Sequence, residues 1–289
     1  MLPEPALPET GVQRYRRVTA EREARIADWR ERAALLPSTP PPAPYMVDII
    51  VPTMDNKDKL VPMLATLIDH TAGGEHLFRI KVINNGTPGY VGRVIGQHPF
   101  VEVIEAGKNL GWEGAIHLGA SRSTAPILGM FNDDIHIVPG NPGWLSALVD
   151  SFYTIPKCGS VGPCSNVVMQ KQNMLYLGLD PKPYYTSLLI GFCVLYRRDL
   201  FDAIGGMPMG MPGGDDLDLS IRVEQAGFKP VMRRDVFVYH HGFSTGTRLH
   251  GDYWNSIEMQ EKTRMALIQK HGVSAYLRCI NSFIEEIPL

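Results

Sequence analysis

Between residues 47 and 131 the chain alternates short β-branched runs with amphipathic stretches, and nothing else in the sequence restricts the fold as much. Val47-Asp48-Ile49-Ile50-Val51-Pro52 reads as a strand buried on both faces. Residues 60–70 follow with Leu60, Leu64, Leu67 and Ile68 on one helical face. Residues 78–83 and 101–104 read as further strands, 114–122 as a helix, and 127–131 as a fourth strand. Strands alternating with helices predict an α/β fold, with a mostly parallel central sheet flanked by helices on both faces. Ligands of such sheets sit beyond the carboxyl ends of the strands, so the chemistry is to be sought there.

Three polar clusters meet that condition. The fourth strand runs straight into Asn132-Asp133-Asp134. Carboxylates at the end of a buried strand are costly unless a positive charge offsets them. A divalent cation is a natural partner, because carboxylates are hard oxygen ligands. Turn formation is the other reading, since Asn and Asp favour turns and caps. The second cluster, Gly213-Gly214-Asp215-Asp216-Leu217-Asp218, opens a helix that runs to a stop at Gly227. The glycines read as a flexible approach, Asp215 or Asp216 as a residue at or near the N-cap, and Asp218 with Arg222 as an ion pair four residues apart. Two adjacent carboxylates exceed what capping needs, so one is a candidate general base. The third cluster, Tyr239-His240-His241-Gly242, follows an apparent strand at 236–239. A histidine there is a candidate metal ligand or a merely hydrogen-bonded one, and no zincin-like histidine spacing accompanies it.

The periphery reads as follows. Residues 12–36 carry Tyr15, Val18, Ile26, Trp29, Ala33 and Leu36 at helical spacing, expected to pack on the main domain or a second subunit. A stiff Pro-rich linker, residues 37–44, comes next. After residue 246 one helix is expected to end at Gly272, and a second helical stripe to run from Val273 to Ile287, covered by the core or another protomer. The formal charge of −2 gives no global basic field for nucleic acid. Cys158, Cys164, Cys193 and Cys279 fit no zinc spacing and read as buried thiols of a reducing compartment. No apolar run approaches a membrane span and the N-terminus lacks a signal-peptide pattern, so the expected location is the cytoplasm.

Taken in order, these segments resemble the inverting family-2 type of glycosyltransferase with the GT-A fold. Residues 47–53 look like that family's opening strand, and Ile83-Asn84-Asn85-Gly86-Thr87 its second strand end. Asn109-Leu110-Gly111-Trp112 and residues 114–119 resemble its asparagine-glycine segment, and Phe131-Asn132-Asp133-Asp134 its DXD-type motif. Gly191-Phe192-Cys193 with Arg197 resembles the strand and arginine upstream of the acceptor region. Gly214-Asp215-Asp216-Leu217-Asp218 with Arg222 resembles the catalytic segment, and His240-His241-Gly242 the histidine completing the metal site. Asn84 and Asn132 stand where the family often has aspartate, Asp215 where glutamate is common, and His117 where a second asparagine is frequent.

The resemblance implies a Rossmann-like GT-A catalytic domain over residues 46–245, between a helical extension with linker (1–45) and a C-terminal helical segment (246–289). It implies Mn²⁺ or Mg²⁺ held by Asp134, His240 (or His241) and Asn132, with Asp133 adding through water. An imidazole ligand favours Mn²⁺. Pro52, Thr53, Asp55, Asn84, Asn109, Gly111 and Asp133 would surround a nucleotide-diphosphate sugar, with a UDP-sugar favoured. Asp216 would act as general base in a single in-line displacement, Asp215 standing in reserve. The acceptor is left open among a glycan, a lipid-linked sugar, a protein and a modified nucleobase, with the terminal helices as the surfaces a homo-oligomer would use. Two rivals are a nucleotidyltransferase and a non-catalytic carbohydrate-binding or scaffold protein on the same fold. Thr53-Met54-Asp55-Asn56-Lys57 is neither glycine-rich nor strongly basic, against the first. Asp134, Asp216 and His240 are all retained, against the second.

Overall fold

The computed structural model of the chain describes residues 9–40, 46–74, 76–176, 178–242, 251 and 256–288. Strands β1 (Met46–Thr53), β2 (Leu77–Asn84), β3 (Val101–Glu105) and β4 (Ile127–Phe131) lie in the order β3-β2-β1-β4, all parallel. Register sets Thr53 beside Asn84 and Asn84 beside Glu105, so three polar strand ends share one edge of the sheet. Beyond β4 the sheet continues through β8 (Cys193–Arg197), β6 (Cys158–Cys164), β9 (Lys229–Phe237), β7 (Pro183–Thr186) and β11 (Ile284–Glu286). Only β8 and β7 run against the common direction, which gives a mixed, mostly parallel nine-stranded sheet. A separate two-stranded ribbon pairs β5 (Ile135–His136) with β10 (Tyr239–His240).

Alternation along the strands fills both faces. Val47, Ile49 and Val51 join a core with α2 (Lys57–Asp69), α3 (Tyr90–Ile95) and α5 (Trp144–Thr154). Ile50 joins the opposite core with α4 (Gly111–Ser121), α6 (Arg198–Ala203) and α7 (Asp215–Gln225). Leu60, Met63, Leu64 and Leu67 form the buried stripe of α2, each contributing roughly 1.5–3 kcal/mol by leaving water. Gly119 lets α4 lie against β1, because a Cβ there would come within 2.4 Å of Ile50 Cγ2.

The extension is a capped helix, α1 (Gly11–Ala34), begun by a reciprocal Thr10–Gln13 capping box. Its Trp29 and Ala33 are buried in the same core as α6 and α7, so it packs on its own main domain. Arg197 is buried and its Nη1 donates to the Pro37 carbonyl at 2.7 Å, fixing the start of the linker rather than facing a substrate. Residues 41–44 of the linker lie outside the described residues.

The C-terminal stripe departs from expectation. Helix α8 (Ile257–His271) does end at Gly272, but Trp254 lies outside the described residues. The following helix, α9 (Val273–Ile280), stops seven residues short of Ile287. Ser282 takes a left-handed φ of 47°, and residues 284–286 become β11, antiparallel to β7. An open sheet edge at β7 offers hydrogen bonds that a further helical turn cannot match. All four cysteines are free and buried, and among the described residues no helix is long and apolar enough to cross a membrane.

Candidate active site

The site is assembled at the carboxyl ends of β1 and β4. As β4 ends, the Asn132 N–H donates to the Phe192 carbonyl at 2.9 Å. The two aspartates then diverge. Asp133 turns to β1, where Oδ2 accepts from the Thr53 hydroxyl at 2.7 Å and the Asn56 amide at 3.3 Å. Asp134 turns to β10, where Oδ1 lies 3.3 Å from His240 Nε2.

The orientation of His240 is fixed from three sides. Its Nδ1 is 2.7 Å from the Val167 carbonyl, which can only accept, so Nδ1 carries a proton and, in the neutral ring, Nε2 is the nitrogen with a lone pair for a metal. Its ring stacks on Phe192 with centroids 5.1 Å apart, and its backbone exchanges two hydrogen bonds with the Asn166 side chain. Nε2 accepts from Asn132 Nδ2 at 3.1 Å. A lone pair and a carboxylate oxygen therefore face each other across 3.3 Å, an arrangement that a shared cation relieves. Among the described residues no three His, Cys, Asp or Glu side chains are placed to hold a metal ion together. The chain thus offers one carboxylate, one imidazole and the Asn132 carboxamide, leaving other positions to diphosphate and water. That donor set suits Mn²⁺ or Mg²⁺.

His241 is placed differently. Its backbone N–H donates to the Asp134 carbonyl at 3.1 Å, while its ring packs on His136 and Tyr239, with centroids 4.8 and 5.1 Å away. Burial foremost, with Lys59 adding to it, holds both His136 and His241 below the usual histidine range.

The ends of β1 and β2 are built on side chains that shape backbone. Asn84 is 1% exposed. Its Nδ2 donates to the Thr87 carbonyl and to Glu105, both at 2.9 Å, and its Oδ1 accepts from the Gly86 N–H at 3.2 Å. Asp55, at a left-handed φ of 51°, accepts from both the backbone and the hydroxyl of Thr87 at 2.9 Å. Asn109 Oδ1 accepts from the Gly111 N–H at 2.8 Å. Asn85 clasps the same segment, donating to the Gly111 carbonyl at 2.8 Å and accepting from Leu110 at 3.1 Å. Pro52 and Thr53 are buried at the end of β1.

Helix α7 begins on a left-handed Gly214, which is itself the N-cap, so Asp215 and Asp216 fall in the first turn, next to the cap. The glycine pair serves close packing rather than flexibility: a Cβ on Gly214 would meet Thr263 Cγ2 of α8 at 2.8 Å. Asp216 Oδ1 accepts from the Leu217 N–H at 2.8 Å, and a Cβ on Gly191 would lie 3.6 Å from Asp216 Cβ. Burial pushes both carboxyls above the ordinary range, and Asp215 is raised further by Asp216 and Glu113. Gly191-Phe192 joins the two halves of the site, with Asp216 on one side and His240 and Asn132 on the other. Asp218 points away, fully buried, meeting Arg222 at 2.7 Å and Lys270 and His271 at 2.6 Å. Burial opposes its charge, but the His271 hydrogen bond and the charges of Arg222 and Lys270 hold it well below the usual carboxylate range. His117 is exposed on α4.

A loop rooted at Asn166-Val167 frames the histidine. Its polar groups turn inward: Gln172 bonds the Pro163 carbonyl and the Ile190 N–H, and Arg234 holds the carbonyls of Lys171 and Asn173 at 2.7 and 3.0 Å. Its apolar side chains turn outward, with Met169 54% and Leu175 74% exposed beside Met174 and Tyr176. Sequence reading had no means of finding Val167, whose contribution is a carbonyl. Asn85 lay within a quoted motif, but only the register of the folded chain separates Asn85 from Asn84.

Comparison with known proteins gives the family and the fold. The model of the family described as "Glycosyl transferase family 2" matches residues 48–205. The chain is 25% identical over 238 residues to the uncharacterized protein y4gI of Sinorhizobium fredii, covering 72% of this chain but only 25% of that protein. It is 26% identical over 210 residues to the N-acetylglucosaminyl-diphospho-decaprenol L-rhamnosyltransferase of Mycobacterium tuberculosis, covering 56% of this chain and 66% of the relative. Among solved structures it resembles the mannosyltransferase PcManGT of Pyrobaculum calidifontis in complex with GDP-Man and Mn²⁺. The TM-score is 0.56 at 17% identity, over 91% of this chain and 84% of that one. It also resembles GalNAc-T7 with UDP, GalNAc and Mn²⁺, with a TM-score of 0.57 at 12% identity, over 78% and 52%.

Proposed function

Since this chain belongs to glycosyl transferase family 2 and has the GT-A fold, we propose that it is a glycosyltransferase that works by metal-dependent, inverting transfer from a nucleoside-diphosphate sugar to a hydroxyl. The observation that carries the metal reading is the lone pair of His240 Nε2 facing Asp134 Oδ1 at 3.3 Å beyond the end of β4. Asp134, His240 and Asn132 would hold Mn²⁺ or Mg²⁺, which when bound offsets charge on the departing diphosphate. Val167 and Phe192 keep the imidazole aimed, while Thr53 and Asn56 hold Asp133 toward β1.

Asp216 is the proposed base. Its carboxylate takes the proton of the attacking acceptor hydroxyl. The acceptor oxygen bonds to the anomeric carbon from the face opposite the phosphate, and the old C–O bond leaves with its electron pair on the nucleoside diphosphate, which inverts the centre. The base and ribose lie between the β1 end and the segment that Asn85 clasps, with Asn84 and Asp55 shaping that wall. UDP stands first among the nucleotides; the solved neighbours carry GDP-Man and UDP.

Calorimetry with UDP, GDP, dTDP and CDP, each with Mn²⁺ and again with chelator, tests the reading. One nucleotide should bind, and the chelator should abolish it. His240→Ala should weaken binding about 10–100-fold and His241→Ala by much less. Metal-independent binding, or equal losses in the two variants, would count against the assignment.

The proposed acceptor class is a sugar on a lipid carrier. The named Mycobacterium relative supports it, as does the apolar outer surface of the loop rooted at His240. Leu175→Asp should raise KM for an acceptor bearing a polyprenyl-diphosphate and leave metal-dependent nucleotide binding unchanged. An unchanged KM would remove the loop from the acceptor site.

A further inference from the structure

Gly191 stands where neither the backbone nor the packing requires a glycine. Its counterparts in the site have a reason in the chain itself. Gly214 takes a left-handed φ of 73° and lies against Thr263, while at Gly242, with a φ of 72°, a Cβ would come within 2.6 Å of Val167 Cγ1. Gly191 has neither constraint. Its φ lies outside the left-handed region, so an L side chain is allowed. Apart from its chain neighbours, a Cβ built there would find one heavy atom of the described residues within 4 Å, Asp216 Cβ at 3.6 Å, an ordinary van der Waals contact. Gly191 is half-buried, so the missing side chain leaves a notch in the wall of the site rather than a stretch of open surface.

The notch is fixed in place. Ahead of it, Ser220 Oγ accepts from the Leu189 N–H at 3.1 Å and Gln172 Oε1 from the Ile190 N–H at 2.9 Å. Behind it, the Phe192 carbonyl accepts from the Asn132 N–H at 2.9 Å, and the Phe192 ring stacks on His240. The backbone around Gly191 is therefore held from α7, from the loop that frames His240 and from the end of β4. On one flank of the notch is Asp216, whose Oδ1 is oriented by the Leu217 N–H at 2.8 Å. On the other are Asn132 and His240, reached through Phe192.

An in-line displacement needs the reacting carbon between the incoming oxygen, beside the base, and the leaving oxygen, beside the metal. Gly191 lies between the residues assigned to those two tasks. We propose that Gly191 admits the transferred sugar, whose pyranose ring lies against its Cα in the space a side chain would take. Position 191 then acts on the sugar and not on the nucleotide, whose cleft lies by the ends of β1 and β2. The proposal rests on the transferase reading and makes glycine at this position a determinant of which glycosyl group enters.

Gly191→Ala in the full chain tests it. Because φ allows a side chain, the variant should melt at the wild-type Tm or about 1–3 °C above it. A fall of more than about 5 °C would show that the chain's own packing uses the space, and would overturn the proposal. Calorimetry with Mn²⁺ then compares UDP with UDP-glucose, GDP with GDP-mannose and dTDP with dTDP-rhamnose. For the pair that the wild type binds, Gly191→Ala should keep the affinity for the bare diphosphate within about twofold, weaken the sugar nucleotide about tenfold, and slow its Mn²⁺-dependent hydrolysis about a hundredfold. Hydrolysis within about twofold of the wild type, or a diphosphate affinity lost in step with that of the sugar nucleotide, would overturn the proposal. A wild type that binds none of these nucleotides with Mn²⁺ would overturn the transferase reading, and this proposal with it.

Discussion

Asp218 makes the ion pair with Arg222 that its spacing predicts, and the fold adds Lys270 and His271 to it. It sits two positions after the proposed base, yet is fully buried under Arg222, Lys270 and His271. Asp218→Asn leaves the Arg222 and Lys270 charges without their carboxylate and should cost about 3–5 kcal/mol at neutral pH. Its depressed folded value supplies stability above the ordinary aspartate range that is lost as pH falls below it. The gap between wild type and Asp218→Asn in denaturant melts should therefore close only below about pH 4. A gap that persists unchanged in acid would mean the carboxylate charge is not what matters. At this scale the sequence made Asp134, His240 and Asp216 legible, because ionisable groups at strand and helix ends have few inexpensive explanations. It did not separate Asn84, which braces a turn, from Asn85, which clasps the Gly111 segment. Successive strand residues point to opposite faces, and a motif does not encode which face a ligand occupies.

Among the elements, the loop from Asn166 to Tyr176 carries the most specific expectation. Arg234 holds it by carbonyls of four of its residues, Lys171, Asn173, Met174 and Tyr176. Arg234→Met should free that backbone, raising amide hydrogen exchange across 171–176 and weakening metal-dependent nucleotide binding through Val167 and His240. Unaltered exchange would show that Gln172 and Asn173 hold the loop unaided. The four parallel strands and their helices were readable because hydrophobic period and chain alternation agree there. The C-terminal stripe was misread because its spacing fits a helix, while the edge of β7 offers a strand's hydrogen bonds. Local pattern yields to tertiary pairing in such places.

For the molecule as a whole, both flanking segments converge on α7. Trp29 of α1 shares its core with Leu219 and Val223 of α7, Arg25 bonds the Lys270 carbonyl at 2.7 Å, and α8 supplies Lys270 and His271 to Asp218. Trp29→Ala should therefore destabilise the protein by about 3–5 kcal/mol in thermal or denaturant melts, although it lies outside the matched family region. A change under 1 kcal/mol would make α1 a loosely attached appendage. The division into extension, catalytic core and C-terminal segment read from the sequence is thus one of chain order rather than of independent folding.

That convergence bears on how the protein can be handled. A version trimmed to the family-matched stretch would lose α7 itself together with the wall behind it, and its lack of turnover could be mistaken for a wrong donor. A tag fused at the start of α1 would pull on a lever whose far end is Trp29. The sound comparison among substrates is therefore one made on the whole chain, with any added sequence cleaved before the measurement.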